Sequence, residues 1–474
     1  MQSAHRLAGK GFHAKKDKTM HNIRSTHSIR GNNEKIQRFL VKQSKTSGWD
    51  FSDAPDPRQE AQVEHKMPSL IWTYVLALIS NQPTLRDVEA MTKELSPVGR
   101  ALVEKPKSDT TLYEVVKRLE TEYYLSKLVQ QIRKWHRSKM LEPVLLPCGV
   151  VTVDGKNLAT LDHDADGTGQ KRTSDNSKWD KRDAEQKKSG QPYYLLPALG
   201  RAVVYLPPST AASKPCIYQK TIPPETSEAG ICREFIDDLI GSYGRGGMFE
   251  IFDFDAGLCS LATADSVHKH NYGYVFGLKG NQPELYQEAQ RLMVFQTNEQ
   301  DPEAQTAWES RNGYRMRRSL WRTDQMKGFI NSTGCWSHLR QTWLVRQEQV
   351  YPGGKTEIED RYFVTSLPWN RLKALQILVL VRNHWGIEND VYNSLDLQWK
   401  EDSAPWCTKG QAIWVLGLLR VMGYNVAQML RRKSLCPKDE SGKRREPMSW
   451  RQLFKSIQQA LEVVVPEITL TPIG

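Results

Sequence analysis

Two apolar runs rich in β-branched and aromatic residues each close on an aspartate: residues 144–153 end at Asp154, and residues 248–254 end at Asp255. Such runs read as strands with an acid at the far end. A third acid, Glu388, sits in the polar-aromatic helical stretch Arg382-Asn383-His384-Trp385-Gly386-Ile387-Glu388-Asn389. Three carboxylates delivered by two strands and a helix can hold two divalent metal ions roughly 3.5–4 Å apart, the geometry used for in-line attack at a phosphodiester.

The 474-residue chain is long enough for several domains and a sizeable core. Its 14 Trp and 39% hydrophobic content argue for a folded protein over a disordered one. A net charge of +12 points to a polyanionic partner, with nucleic acid first. Residues 1–45 hold 11 Lys and Arg against Asp17 and Glu34 alone, so this stretch supplies +9 of that charge and reads as a basic arm. Seven scattered cysteines show no Cys-x-x-Cys pair, which suggests reduced thiols. The apolar stretches 70–79 and 412–419 are too short to span a bilayer, and the expectation is a cytoplasmic protein.

The pattern divides the chain into six parts. Residues 1–60 read as a basic flexible arm and linker. Residues 61–143 form a helical N-terminal domain, either a DNA-binding head or a cap packed on the core. Residues 144–290 begin the catalytic core, with strands at 193–199 and 202–206 joined as a hairpin through Gly200-Arg201, a helix over 226–240, and a strand over 272–278. Residues 291–367 are a β-rich insertion with a turn at Tyr351-Pro-Gly-Gly-Lys355. Residues 368–432 return to the core with the third-acid helix and the apolar helix after it. Residues 433–474 are a basic linker and a final amphipathic helix. Acids at the ends of the first and fourth strands of an α/β mixed sheet are the layout expected of an RNase H-like core.

The three motifs in order resemble the DDE transposases of bacterial insertion sequences, nearest in pattern to the H-repeat-associated subgroup. The resemblance rests on Asp154-Gly155-Lys156, then Asp255-Ala256 with Gly277-Leu278-Lys279-Gly280-Asn281-Gln282, then His384-Trp385-x-Ile387-Glu388-Asn389 with Leu395-Asp396-Leu397 and Glu401-Asp402. It implies Asp154, Asp255 and Glu388 as the catalytic and metal-binding triad, with two Mg²⁺ or Mn²⁺ ions. It also implies double-stranded DNA, both transposon ends and target, as partner, and a homo-oligomer acting on paired ends. Asp253, two residues before Asp255 and on the same strand face, is the competing ligand; the following Ala-Gly favours Asp255. Wider relatives often carry Tyr, Arg and Lys around the third acid, where this chain has Val381, His384 and Leu395.

Residues read as DNA contacts are Lys156, Lys279, Asn281, Gln282, Arg311, Arg315, Arg382, His384 and Lys400. For Lys279, Asn281 and Gln282 a strand-end turn is the competing reading. Asp162-His-Asp164-Ala-Asp166-Gly167 imitates the start of an EF-hand loop, but Thr173 stands at its twelfth position, so calcium is not expected. Two rival functions remain at this level: a domesticated DNA-binding protein without activity, and a structure-selective nuclease of the same fold.

Overall fold

A computed structural model describes residues 31–462 apart from 47, 60–62, 144, 162–168, 173–192, 205–213, 245–246, 312, 385, 402–405, 410 and 443–445. Its centre is a mixed sheet. In chain order the strands are β1 (Val150–Val153), β2 (Gly155–Leu161), β3 (Gln170–Arg172), β4 (Tyr193–Val204), β5 (Cys216–Thr221), β6 (Ile251–Phe254) and β7 (Gly273–Leu278). They are followed by β8 (Ala304–Gln305), β9 (Glu309–Arg311), β10 (Tyr314–Thr323), β11 (Ile330–Asn331), β12 (Gly334–Cys335), β13 (Gln341–Val350) and β14 (Thr356–Thr365). Across the sheet the order is β2-β4-β1-β6-β7-β14-β13-β10-β8, with β3 and β5 on β4 and β9 on β10. β1, β6 and β7 run parallel, and the strands flanking them are antiparallel.

The parallel trio is apolar because both faces are covered. Val151, Val153, Phe252, Phe254, Tyr274 and Phe276 point one way, into the larger core shared with the helices Glu228–Tyr243 and Leu261–Lys269. Phe254 and Phe276 stack there with ring centroids 4.9 Å apart. Val150, Ile251 and Val275 point the other way and pack, with Trp343, Val345 and Phe363, against Ile377, Leu378 and Val381 of the helix Ala374–His384. Alternation puts Thr152 and Asp253 on this second face too, so the strands hand polar groups to the helix leading to the third acid.

The β-rich segment after residue 291 does not stand apart. β14 pairs with β7, from Tyr362↔Leu278 to Thr365↔Val275, so the insertion extends the core sheet. The expected hairpin at Gly200-Arg201 is replaced by one long strand, β4. It pairs with β2, β3, β1 and β5, and a register shift between Leu199 and Ala202 absorbs the irregular dipeptide. β2, β3 and β5 were not anticipated either. With them counted, the second acid follows the sixth strand instead of the fourth.

The helices before β1 pack on the core as a cap. Met67–Ile79 is buried along nearly its whole length and lies on Ala412–Met429, which also contacts Thr121–Arg137 and β5. By length and composition Ala412–Arg432 would pass for a membrane span, but it is buried inside the protein. Part of the segment read as an arm is folded as well. Residues 31–44 are helical, Ile36 and Leu40 are buried, and the Gln37 amide donates to the Ala460 carbonyl at 2.6 Å. Trp49 and Phe51 pack on Trp72, with centroids 5.3 and 6.0 Å away. None of the seven cysteines is in a disulfide. The EF-hand-like stretch, residues 1–30 and Trp385 lie outside the described residues.

Candidate active site

The first two acids come together through strand register. β1 and β6 are parallel neighbours whose last pair is Val153↔Phe254. Asp154 and Asp255 are therefore the next residue on each strand and leave the sheet side by side. This is the carboxyl end of the parallel strands, where open α/β sheets place their chemistry. Asp255 then caps a short 3-10 turn, its Oδ1 accepting from the Leu258 N–H at 3.1 Å.

The third acid arrives from across the second face. The helix Ala374–His384 gives way to a π-helical turn, Ile387–Tyr392, that carries Glu388. A widened turn of this kind re-aims side chains and is frequent at functional sites. Tyr392 closes the turn onto the first strand, its hydroxyl donating to the Asp154 carbonyl at 2.8 Å. Asp255, His384, Glu388 and Lys279 line one cavity of about 320 Å³ with Gly277, Tyr286 and Tyr362.

Electrostatics show how closely these groups are gathered. The Asp154 carboxyl is pushed up to about 7, by burial first, then by the charges of Asp255, Glu388 and Glu228, against the opposing pull of His384. His384 goes the other way. Burial disfavours its charge, yet the adjoining Asp253, with Asp154 and Asp255 behind it, raises the imidazole to about 9. The protonated ring donates from Nδ1 to Asp253 Oδ2 at 3.0 Å, and the Thr152 hydroxyl donates to the same oxygen at 3.2 Å. Asp253, the competing ligand, is thus a buried partner of His384.

The other residues expected at the site fall into distinct roles. The Asn281 amide donates to the Ala256 carbonyl at 2.6 Å and the Gln282 amide to the Cys259 carbonyl at 3.0 Å, so both brace the loop after Asp255. Lys279 is exposed on the cavity rim. Lys156 is buried and paired with Asp396 and, at 3.6 Å, with Glu401, which ties the first motif to the segment after Glu388. Arg382 pairs with Glu309 at 2.7 Å. Arg315 lies over the Trp308 ring, 5.3 Å from its centroid. Lys400 lines a separate cavity with Leu78, Gln82 and Trp406. Arg311 ends β9, and its side chain lies outside the described residues.

One acid escaped the sequence reading. Glu228, in the first turn of the helix Glu228–Tyr243, sits so close to Gly155 that a methyl group there would lie 1.8 Å from its Oε1. Burial and the charge of Asp255 raise its pKa. The only local sign of it is an acid after the N-cap Ser227, a common helix start that says nothing about Asp154.

The four carboxylates are hard oxygen donors suited to Mg²⁺ or Mn²⁺ rather than zinc. Among the described residues, no three His, Cys, Asp or Glu side chains converge tightly enough to hold an ion as they stand. Burial and then mutual repulsion raise Asp154, and a bound cation would relieve the repulsion.

A mixed α/β sheet with acids at the carboxyl ends of adjacent parallel strands, and a third on a facing helix, defines the RNase H-like class. Within it, residues 245–425 match the family model described as Transposase DDE domain. The matched segment contains Asp255 and Glu388, while Asp154 precedes it. No curated protein matches the chain.

Proposed function

We propose that the protein is a DNA transposase that cuts at the ends of an insertion element and joins the resulting 3′-hydroxyls to target DNA. The observation that carries the reading is the β1–β6 register, which sets Asp154 beside Asp255 in a chain whose residues 245–425 match the Transposase DDE domain model. Asp154, Asp255 and Glu388 would hold two divalent cations, with Glu228 within reach of the first two. Bound there, the ions would activate the attacking hydroxyl and stabilise the leaving oxygen.

The chain's own residues prepare that chemistry. Asn281 and Gln282 hold the Asp255 loop, Tyr392 holds the Asp154 backbone, and Lys156 anchors the segment that follows Glu388. His384 is a fixed positive charge among the acids and limits their repulsion before a cation enters. Lys279 on the rim is placed to meet a phosphate. Transposition joins two element ends, so the working form is proposed to be a homo-oligomer on paired ends, in the cytoplasm.

The test is strand transfer with Mg²⁺ on DNA carrying the gene's own flanking sequences, with Asp154→Asn, Asp255→Asn and Glu388→Gln beside wild type. Joined products from wild type alone, abolished in each variant, support the reading. Cleavage without joining replaces it with a nuclease. Binding with neither replaces it with a DNA-binding protein that has lost the chemistry.

A further inference from the structure

At the opposite end of the parallel strands, where β6 and β7 begin, the surface carries an elongated groove remote from the acids. It has two parts, of about 900 and 580 Å³, that share Gly244, His270 and Tyr272. The strand β6 separates it from Asp255. Four residues at about 3.3 Å each put roughly 13 Å between the two sites. A phosphate in the groove is therefore not the phosphate at the acids.

The described lining carries four arginines, Arg133, Arg137, Arg340 and Arg371. Arg133, His136 and Arg137 line the first part, over Tyr243, Met248 and Tyr272. Arg133 and Arg137 are one helical turn apart on Thr121–Arg137 and share a face. Both are exposed, and Arg133 spends one donor on the Ser242 carbonyl at 2.9 Å, out of the five a guanidinium offers. His268, Arg340 and Arg371 line the second part. His268 stacks on His338 with ring centroids 3.5 Å apart, and burial, His338 and Arg340 hold its pKa below the ordinary histidine value. Among the described lining residues the one acid is Glu250, which Arg371 engages. Asp237, outside the lining, holds His270 at 2.6 Å.

We propose that this groove seats the phosphate backbone of duplex DNA, a stretch separate from the one presented to the acids. The cations are spread along two joined parts of a trough instead of converging on one point, which fits a linear polyanion better than a small anion. The net charge of +12 fits the same partner. The proposal rests on the DNA-processing reading above and extends it from the site of chemistry to the path of the DNA.

The experiment is fluorescence anisotropy of the full chain with a long duplex of generic sequence, across a salt series. Arg133→Gln/Arg137→Gln and Arg340→Gln are compared with wild type, and Arg451→Gln/Lys455→Gln, on the exposed face of Trp450–Glu462, is the charge-matched control. The double groove variant is expected to lose about tenfold in affinity and to flatten the log–log salt slope by about two, and Arg340→Gln to flatten it by about one. Melting temperatures, and Mg²⁺-dependent cleavage of a duplex too short to reach the groove, are expected to stay at wild-type values. Unchanged slopes in both groove variants overturn the proposal, as does an equal loss in the control. Preferential binding of polyglutamate over duplex overturns it in favour of an acidic polypeptide. If wild type itself binds no DNA at any salt, the transposase reading falls, and the groove proposal with it.

Discussion

His384 Nδ1 lies 3.0 Å from the Asp253 carboxylate, and the two side chains are only 10% and 3% exposed. The pair fastens the helix that leads to Glu388 onto the strand that ends at Asp255. It also places a positive charge where three acids would otherwise face one another unbalanced.

Breaking that pair from one side leaves a buried charge uncompensated, which costs about 3–5 kcal/mol. Asp253→Asn is expected to lower the unfolding free energy by that order in urea titrations without metal. His384→Gln is expected to lose a comparable amount, because its amide can still donate to Asp253 but leaves that buried carboxylate without a counter-charge. A loss well under about 1 kcal/mol for Asp253→Asn would mean that the pair is hydrated in solution.

Stability without metal is expected to fall as pH rises. Asp154 is raised from 3.8 to about 7, so between those values the folded state keeps a proton that the unfolded state has released, and each step up in pH favours unfolding. His384 is raised from 6.5 to about 9, and its contribution, full below 6.5, is lost on the way to 9. Thermal melts in EDTA from about pH 4 to pH 9 should therefore slope downward across both windows. Asp154→Asn should abolish the lower window and, by removing one of the charges that raise His384, narrow the upper one, and saturating Mg²⁺ should raise the melting temperature most above pH 7. A flat profile would contradict both shifts.

Asn281→Ala and Gln282→Ala are expected to reduce the rate of cleavage at saturating DNA by about 10–100-fold, the usual effect of losing a partner that orients a metal ligand. DNA affinity should stay near wild type, because both amides are spent on the carbonyls of Ala256 and Cys259. An equal loss of affinity would instead give these side chains a direct DNA contact.

Gly155→Ala is expected to drive the Glu228 carboxylate away from the start of β2, since the added methyl would stand 1.8 Å from Oε1. If Glu228 matters only by occupying that space, Gly155→Ala/Glu228→Ala should restore the wild-type melting temperature and activity. If its charge contributes to cation binding, the double variant should recover stability and still show weaker Mg²⁺ activation. Mg²⁺ titrations of cleavage, read beside thermal melts, separate the two.

Sequence alone determined the two buried strands that end on acids, because an apolar β-branched run is legible without knowing what covers it. The helix at Glu388, the β/α alternation and the turn at Tyr351–Lys355 were legible for the same reason. In that turn Gly353 and Gly354 have φ of +91° and +85°, which the local residues alone require.

The tertiary structure decided what local pattern cannot encode. Whether Asp154 stands beside Asp255 depends on which strands are neighbours and in which register. Whether the 304–365 strands form their own unit depends on the pairing of β14 with β7. Lys156 reads as a DNA contact until Asp396 and Glu401, some 240 residues away, bury it in an ion pair. Glu228 reads as an ordinary first-turn acid until the helix is laid against Gly155. Periodicity reports the environment of a residue along its own element; its partners come from other elements, and only packing brings those together.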